Sequence, residues 1–308
     1  MSIFSSNDDF RGCIPANISF SIENIEPFLV EVETTTLSQH ISRELYDEVL
    51  TNVPQGGELL TLCRRVVAPL ALVKYLPFGE VQISDVGITT VGKSADRTAA
   101  YAYQVANIEQ AALSMGFNAL EVLISFLEEH VEDYPTYANS PEHTENTRLI
   151  VPSAKEFSRI YQIFNSRLTY YALRPIISNF QEDTLQKTVG TELFTEMLTS
   201  EDEDKKDLFE IAKRWLVYRT LIEAFQLQLA VELNAGGLRV NYGSMFSNTY
   251  KYYTPPTDQQ VAKAINVLKE KERVFWGVLS GLINKIKGIE TPVATSKMIA
   301  IKGTVLFG

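Results

Sequence analysis

The sequence predicts a mainly α protein built from two tandem copies of a helical-bundle unit, with short β segments and an extended, β-like C-terminal tail. Three observations predict it. First, Ile25–Leu50 lies without a gap on Leu173–Leu198 at a constant offset of 148, with seven of 26 positions identical; ordinary residue usage would give about two. Second, apolar residues recur at helical spacing through most of the chain, as in Leu37, Ile41, Leu45 and Val49. Third, the final residues (GIETPVATSKMIAIKGTVLFG) become β-branched and Gly-rich, and have no copy in the first half.

The match continues beyond its core. Arg64-Arg65 meets Lys213-Arg214, and Asp85-Val86-Gly87 meets Asn234-Ala235-Gly236, both at an offset of 149. Gln104-Val105-Ala106 meets Gln260-Val261-Ala262 at 156, each opening a last helix. This order places two domains at 1–150 and 151–308.

Along the chain, the first 20 or so residues are polar with Gly and Pro, and read as an arm or loop outside the duplication. An amphipathic helix is expected at 36–51, stopped by Pro54-Gln55-Gly56-Gly57. A buried helix follows at 58–75, with Pro69 as a kink or boundary. Residues 81–91 alternate and contain a Gly, suggesting a strand pair or an extended loop. Helical spacing returns at 99–129, with Gly116 as a candidate break. Glu132–Pro152 has three prolines and many Asn, Thr and Ser residues, and reads as a linker. Ser153 with Glu156 forms a capping-box pattern for a helix expected to run toward Pro175. Further helices are expected at 184–198, 207–233 and 257–286, and a strand or hairpin in the tail.

The bulk numbers exclude several classes. A net charge of −10 argues against coating nucleic acid through phosphate contacts, which requires a basic face. Cys13 and Cys63 form neither a disulfide framework nor a metal spacing, and are expected to be reduced thiols. The N-terminus has no secretory pattern, and no stretch is expected to span a membrane.

The residues with chemical potential read as structural. His40, His130 and His143 lack partners at metal-ligand spacing. Glu44/Glu48 and Glu192/Glu196 put carboxylate pairs on one helix face, but the Glu-x-x-His of di-iron bundles is absent. A solvated face explains them better. Glu201–Asp204 does not fit a calcium loop. Arg64-Arg65 and Lys213-Arg214 are expected in helix-surface salt bridges. Tyr250-Lys251-Tyr252-Tyr253 is expected to pack rather than stack on bases. No catalytic, cofactor-binding or metal residue is assigned, and no enzyme activity is expected.

Two runs carry a family resemblance: PSAKEFSRIYQIFNSRLTYYALRPII (152–177) and LCRRVVAPLALVKYLPFGEVQISDVGI (62–88). Both resemble an uncharacterised family of Bacteroidetes phage and prophage proteins over most of the chain. The second, a long helix followed by an extended Ser-Asp-x-Gly segment, is also similar to the head–tail connector (adaptor) proteins of tailed phages, over one unit. The resemblance implies a virion protein that forms a homo-oligomeric ring below the portal protein, between it and the tail or a neighbouring ring. Double-stranded DNA would pass through without sequence-specific binding. The duplication departs from typical adaptors, which hold one such unit. An acidic chain suits a conduit that must not grip DNA, and helical units can close a ring by heterologous contacts. Two alternatives remain: a helical enzyme or small-molecule binder with its site between the repeats, and a cytosolic protein-binding adaptor.

Overall fold

The computed structural model describes residues 2–15, 21–51, 57–79, 81–84, 87–90, 101–226, 231–234, 237–240 and 257–289. The protein is mainly α. The first half runs α1 (Asn7–Arg11), a 3₁₀ turn, α2 (Glu26–Val32), a π-helical turn (Glu33–Leu37), α3 (Ser38–Ile41), α4 (Arg43–Thr51) and α5 (Glu58–Gly79). A hairpin of β1 (Val81–Ser84) and β2 (Gly87–Thr90) leads to α6 (Ala102–Glu129), α7 (Pro135–Ala138) and α8 (Pro141–Thr147). The second half runs α9 (Ala154–Ile160), α10 (Arg167–Phe180), a π-helical turn (Gln181–Gln186), α11 (Lys187–Val189), α12 (Thr191–Thr199) and α13 (Glu203–Gln226). A hairpin of β3 (Val231–Asn234) and β4 (Gly237–Val240) precedes α14 (Asp258–Ile286).

Each half surrounds one central helix. In α5 the consecutive residues Val66, Val67, Ala68, Pro69, Leu70 and Ala71 are all buried, so burial extends around the helix there, and both α6 and α2 pack on it. A helix enclosed in this way has no polar face to present. Burial raises the Cys63 thiol to about 12. Gly116 lets α6 approach α5 closely: a Cβ there would lie 2.5 Å from Leu70 Cγ. In the second half α13 takes the same place, with Trp215, Leu216, Leu221 and Ile222 buried against α14 and α10. Trp215 Nε1 donates to Glu272 of α14 at 2.7 Å.

The same devices recur in both halves. At the head of each π-helical turn a buried polar side chain holds the start of its own half. Glu33 Oε1 accepts from Ser2 Oγ (2.6 Å) and Ile3 N (3.2 Å), while its Oε2 accepts from Tyr46 OH (2.9 Å). Gln181, 148 residues later, accepts from Ile150 N at 2.8 Å and donates to Arg148 O at 2.9 Å. A buried cation on each central helix completes the clasp. Arg64 donates to Ile3 O and pairs with Asp9, each at 2.9 Å. Lys213 pairs with Glu210 and lies 3.6 Å from Glu156. Asp9 and Glu156 both stand in the first turn of a short helix that a serine, Ser6 or Ser153, caps. A buried phenylalanine follows each, Phe10 or Phe157.

Several expectations are corrected by this arrangement. The N-terminal segment is no free arm, since Ile3, Phe4, Phe10 and Ile14 are buried in the first core. Arg64 and Lys213 are buried clasps rather than surface salt bridges, while Arg65 and Arg214 are exposed. The expected linker holds α7 and α8, with Tyr137 and Val151 fully buried. The helix foreseen from Ser153 to Pro175 breaks after Ile160, where Phe164 and Asn165 take positive φ and Ser166 caps a new helix. Conversely, α5 continues through Pro69 and α6 through Gly116. In the hairpins Ser84 pairs with Gly87 and Asn234 with Gly237. α6 is long and apolar enough to cross a membrane by length and composition, contrary to expectation. The Tyr250–Tyr253 cluster and the tail from residue 290 lie outside the described residues.

The helix expected at 36–51 is also interrupted, at Ser42. Its φ of 76° and ψ of 155° belong to a region almost reserved for glycine. Gly190 stands in the matching place with φ 86° and ψ 144°. Serine is tolerated because its Oγ accepts from Leu45 N at 3.2 Å, capping α4. Ser42→Ala removes the cap and keeps the strained Cβ, so it should destabilise by about 1–2 kcal/mol. Ser42→Gly also removes the cap but relieves the strain, and should stay close to wild type. Chemical denaturation tests this order, which reverses the usual helix preference for alanine. Alanine proving the more stable of the two would show that the backbone here is unstrained.

Candidate functional site

A gathering of titratable side chains lies where the two halves meet. Its centre is the start of α10. Ser166 caps this helix, accepting from Thr169 N at 3.1 Å, which leaves the first backbone N–H groups facing α6. Glu121 of α6 receives them: Oε2 accepts from Arg167 N at 2.8 Å, and Oε1 accepts from Leu168 N at 3.1 Å and from Ser166 Oγ at 2.5 Å. A carboxylate is the natural partner here, because the positive end of the helix dipole favours an anion. About two turns further along α6, Glu128 accepts from Arg167 Nε at 2.6 Å.

α8 supplies a second contact. Arg174 of α10 donates to Glu142 O (2.9 Å) and Asn146 Oδ1 (3.3 Å), and pairs with Glu145 at 2.8 Å. Its guanidinium also stands 5.3 Å from the ring centre of Tyr171. The Tyr171 and Tyr137 hydroxyls are buried without a hydrogen-bond partner among the described residues; burial pushes the Tyr171 phenol up to about 12 and raises Tyr137 further. Between these polar groups Leu168 enters the hydrophobic core of the first half.

Burial sets the protonation states. It raises the Glu128 carboxyl against the opposing pull of Arg167. It lowers His40 of α3, whose Nδ1 lies 2.8 Å from Thr36 O, so the ring is held neutral beside Glu121, Glu142 and Arg174. The chemistry available is therefore that of a fastening. Glu121, Glu128 and Glu145 are matched by helix N–H groups, a hydroxyl or guanidinium donors on neighbouring elements, whereas Glu142 Oε2 is buried without a hydrogen-bond partner among the described residues.

The residues weighed from sequence distribute differently. His40 and His143 border this joint, with His143 packed on Tyr137 at 5.3 Å between ring centres. His130 ends α6 and stacks on Phe126. Glu48 accepts from Thr136 Oγ1, and Glu196 pairs with Lys205, while Glu44 and Glu192 are exposed. Glu201 pairs with Lys206, and Asp204 with Lys285. No group of three or more His, Cys, Asp or Glu residues able to hold a metal ion occurs among the described residues. Sequence reasoning missed Glu121, Glu128, Arg167 and Arg174. Their partners lie 28 to 47 residues away, beyond any local pattern.

Residues 25–147 match DUF6712, a family of unknown function. No curated protein and no solved structure matches the chain. The matched region contains α2 to α8, so Glu33, Glu121 and Glu128 fall inside it and the α10 side of the joint outside it.

Proposed function

We propose that this protein is a non-enzymatic structural subunit, a duplicated head–tail connector that assembles as a ring below the portal of a tailed phage. The supporting observation is the recurrence of one clasp. Glu33 with Arg64, and Gln181 with Lys213, each tie the start of a half to its central helix. In this reading the repeated unit begins at the first residues of the chain. Ile3, Ser6, Asp9 and Phe10 correspond to Ile150, Ser153, Glu156 and Phe157 at an offset of 147. Glu33, Arg64, Glu121, Glu128, Arg167 and Arg174 are committed to holding helices, which fits a scaffold. The run 62–88 carries the likeness to connectors, and a net charge of −10 suits a lumen through which DNA slides.

Electron microscopy of the purified chain, alone and mixed with portal protein, tests the proposal. Rings coaxial with the portal, and the chain's presence in purified virions, are the expected results. A chain that never joins the portal and is absent from virions would overturn it.

A further inference from the structure

Among the described residues, the helices that close the two halves each leave one long side unpartnered. On α6, Leu120, Ile124 and Leu127 turn inward with Gly116 toward α5. On the opposite side Ile108, Met115 and Val122 stand seven residues apart, 48%, 46% and 55% exposed. Ala111 and Asn118 lie between them and are also exposed. This stripe spans 14 residues, about 21 Å of helix. On α14, Leu268, Leu279 and Ile283 face inward. Its outer side carries Val267, Val274 and Val278, at 49%, 53% and 45% exposure. Beside them stand Gly277 and Gly281, where an added Cβ would meet nothing within 4 Å. Single exposed aliphatics need no explanation, but aligned rows of them do.

Charge identifies what each row accepts. α6 has no cation, and because Glu121 and Glu128 are bound to the start of α10, Glu109 and Glu129 are the acids it leaves for an outside partner. α14 carries Lys263, Lys269, Lys271, Arg273 and Lys285 against three carboxylates. Packing α6 on another α6 would oppose acid with acid, and α14 on α14 would oppose base with base. Packing α6 on α14 matches them. Shape agrees with charge. In an antiparallel pair with Met115 opposite Val274, Ile108 falls on Gly281, Ala111 on Val278 and Val122 on Val267. Glu129 then lies toward Lys263. The larger side chains of one helix meet the open positions of the other, and the helix dipoles oppose favourably.

We propose that the Ile108–Met115–Val122 face of α6 docks on the Val267–Val274–Gly281 face of α14 in a second copy of this chain. The contact is heterologous. Each bound copy still offers one free face, so association continues until a ring closes or a filament grows. This deepens the proposed connector reading by naming its subunit contact. It is read out without portal, so either idea can fail while the other stands.

Sedimentation velocity and light scattering on the full-length chain test it, with Met115→Glu and Val274→Glu as variants at exposed positions. Wild type should form species larger than a dimer. Each variant alone should associate at least about tenfold more weakly, because the contact would bury an unpaired carboxylate. Both should retain the wild-type melting curve. Mixed in equal amounts, they should form a dimer and nothing larger, since each supplies one intact face. Wild type monomeric up to its solubility limit would overturn the proposal. So would either variant assembling as wild type does, or dimerising with itself. Wild type floating as a monomer with phosphatidylglycerol vesicles, and losing this in Met115→Glu, would assign the α6 face to lipid instead and equally overturn it.

Discussion

Glu121→Ala should separate the unfolding of the two halves and cost about 3 kcal/mol of stability. The carboxylate accepts from Ser166 Oγ, Arg167 N and Leu168 N at once. Alanine strips the first turn of α10 of its acceptor and removes an anion from the positive end of the helix dipole. The polar bonds fix where Leu168 enters the first core, so apolar packing is lost with them. Glu121→Gln keeps an acceptor of similar shape without the charge and should cost about half as much. Arg167→Ala removes only the partly exposed pair with Glu128, worth about 1 kcal/mol or less. Differential scanning calorimetry reads the result as one transition in wild type and two in Glu121→Ala. A Glu121→Ala protein that melts as wild type does, in one step, would show that the joint is held by Leu168 and its neighbours alone.

Glu33→Ala should be of similar or greater effect, about 3–5 kcal/mol. The side chain is fully buried, and its removal leaves the Tyr46 hydroxyl and the Ile3 N–H without an acceptor in the core. Residues 2–14 should lose their protection from hydrogen exchange. Glu33→Gln should fold with a smaller penalty, because glutamine performs the same task at position 181.

The charge adds a pH dependence with a definite sign. Burial raises the Glu33 carboxyl above its ordinary value of 4.5, and the bonds from Ser2, Tyr46 and Ile3 only partly oppose this. Between the unfolded and folded values the folded chain holds more protons, so stability falls as pH rises. The contribution is complete below 4.5 and lost as pH climbs through the raised folded value. The stability of wild type minus that of Glu33→Gln should therefore be highest in acid and decline toward neutrality, which removes the like contribution of Glu128 from the comparison. A difference that grows with pH would refute this account.

The helical character was legible in the sequence because its apolar periodicity is physical: residues three and four apart share a face. The clasp residues were also visible in principle. Glu33 lies on the apolar line Leu29–Glu33–Leu37, and Gln181 on Ile177–Gln181–Leu185. A polar residue at the same place in two apolar stripes signals a buried hydrogen-bond partner. The breaks were not legible. Ser42, Phe164 and Asn165 take positive φ without being glycine, so local propensity gives no warning. Pro69 and Gly116 point the other way, since each carries a helix-breaking tendency that packing in the core overrides. The joint was hidden because it depends on which helices become neighbours, and only the folded chain decides that.

The entry of Leu168 into the first core bears on how the chain is made. A ribosome releasing residues 1–150 would have delivered both helices that pack as α5 and α6, together with the Glu33 clasp, yet not the side chain that completes their core. The nascent first half thus waits, with a gap on its surface, until the start of α10 has emerged. Cut at the apparent boundary, the first half lacks a side chain of its own core. The first half is therefore dependent on translation in one piece with the start of α10.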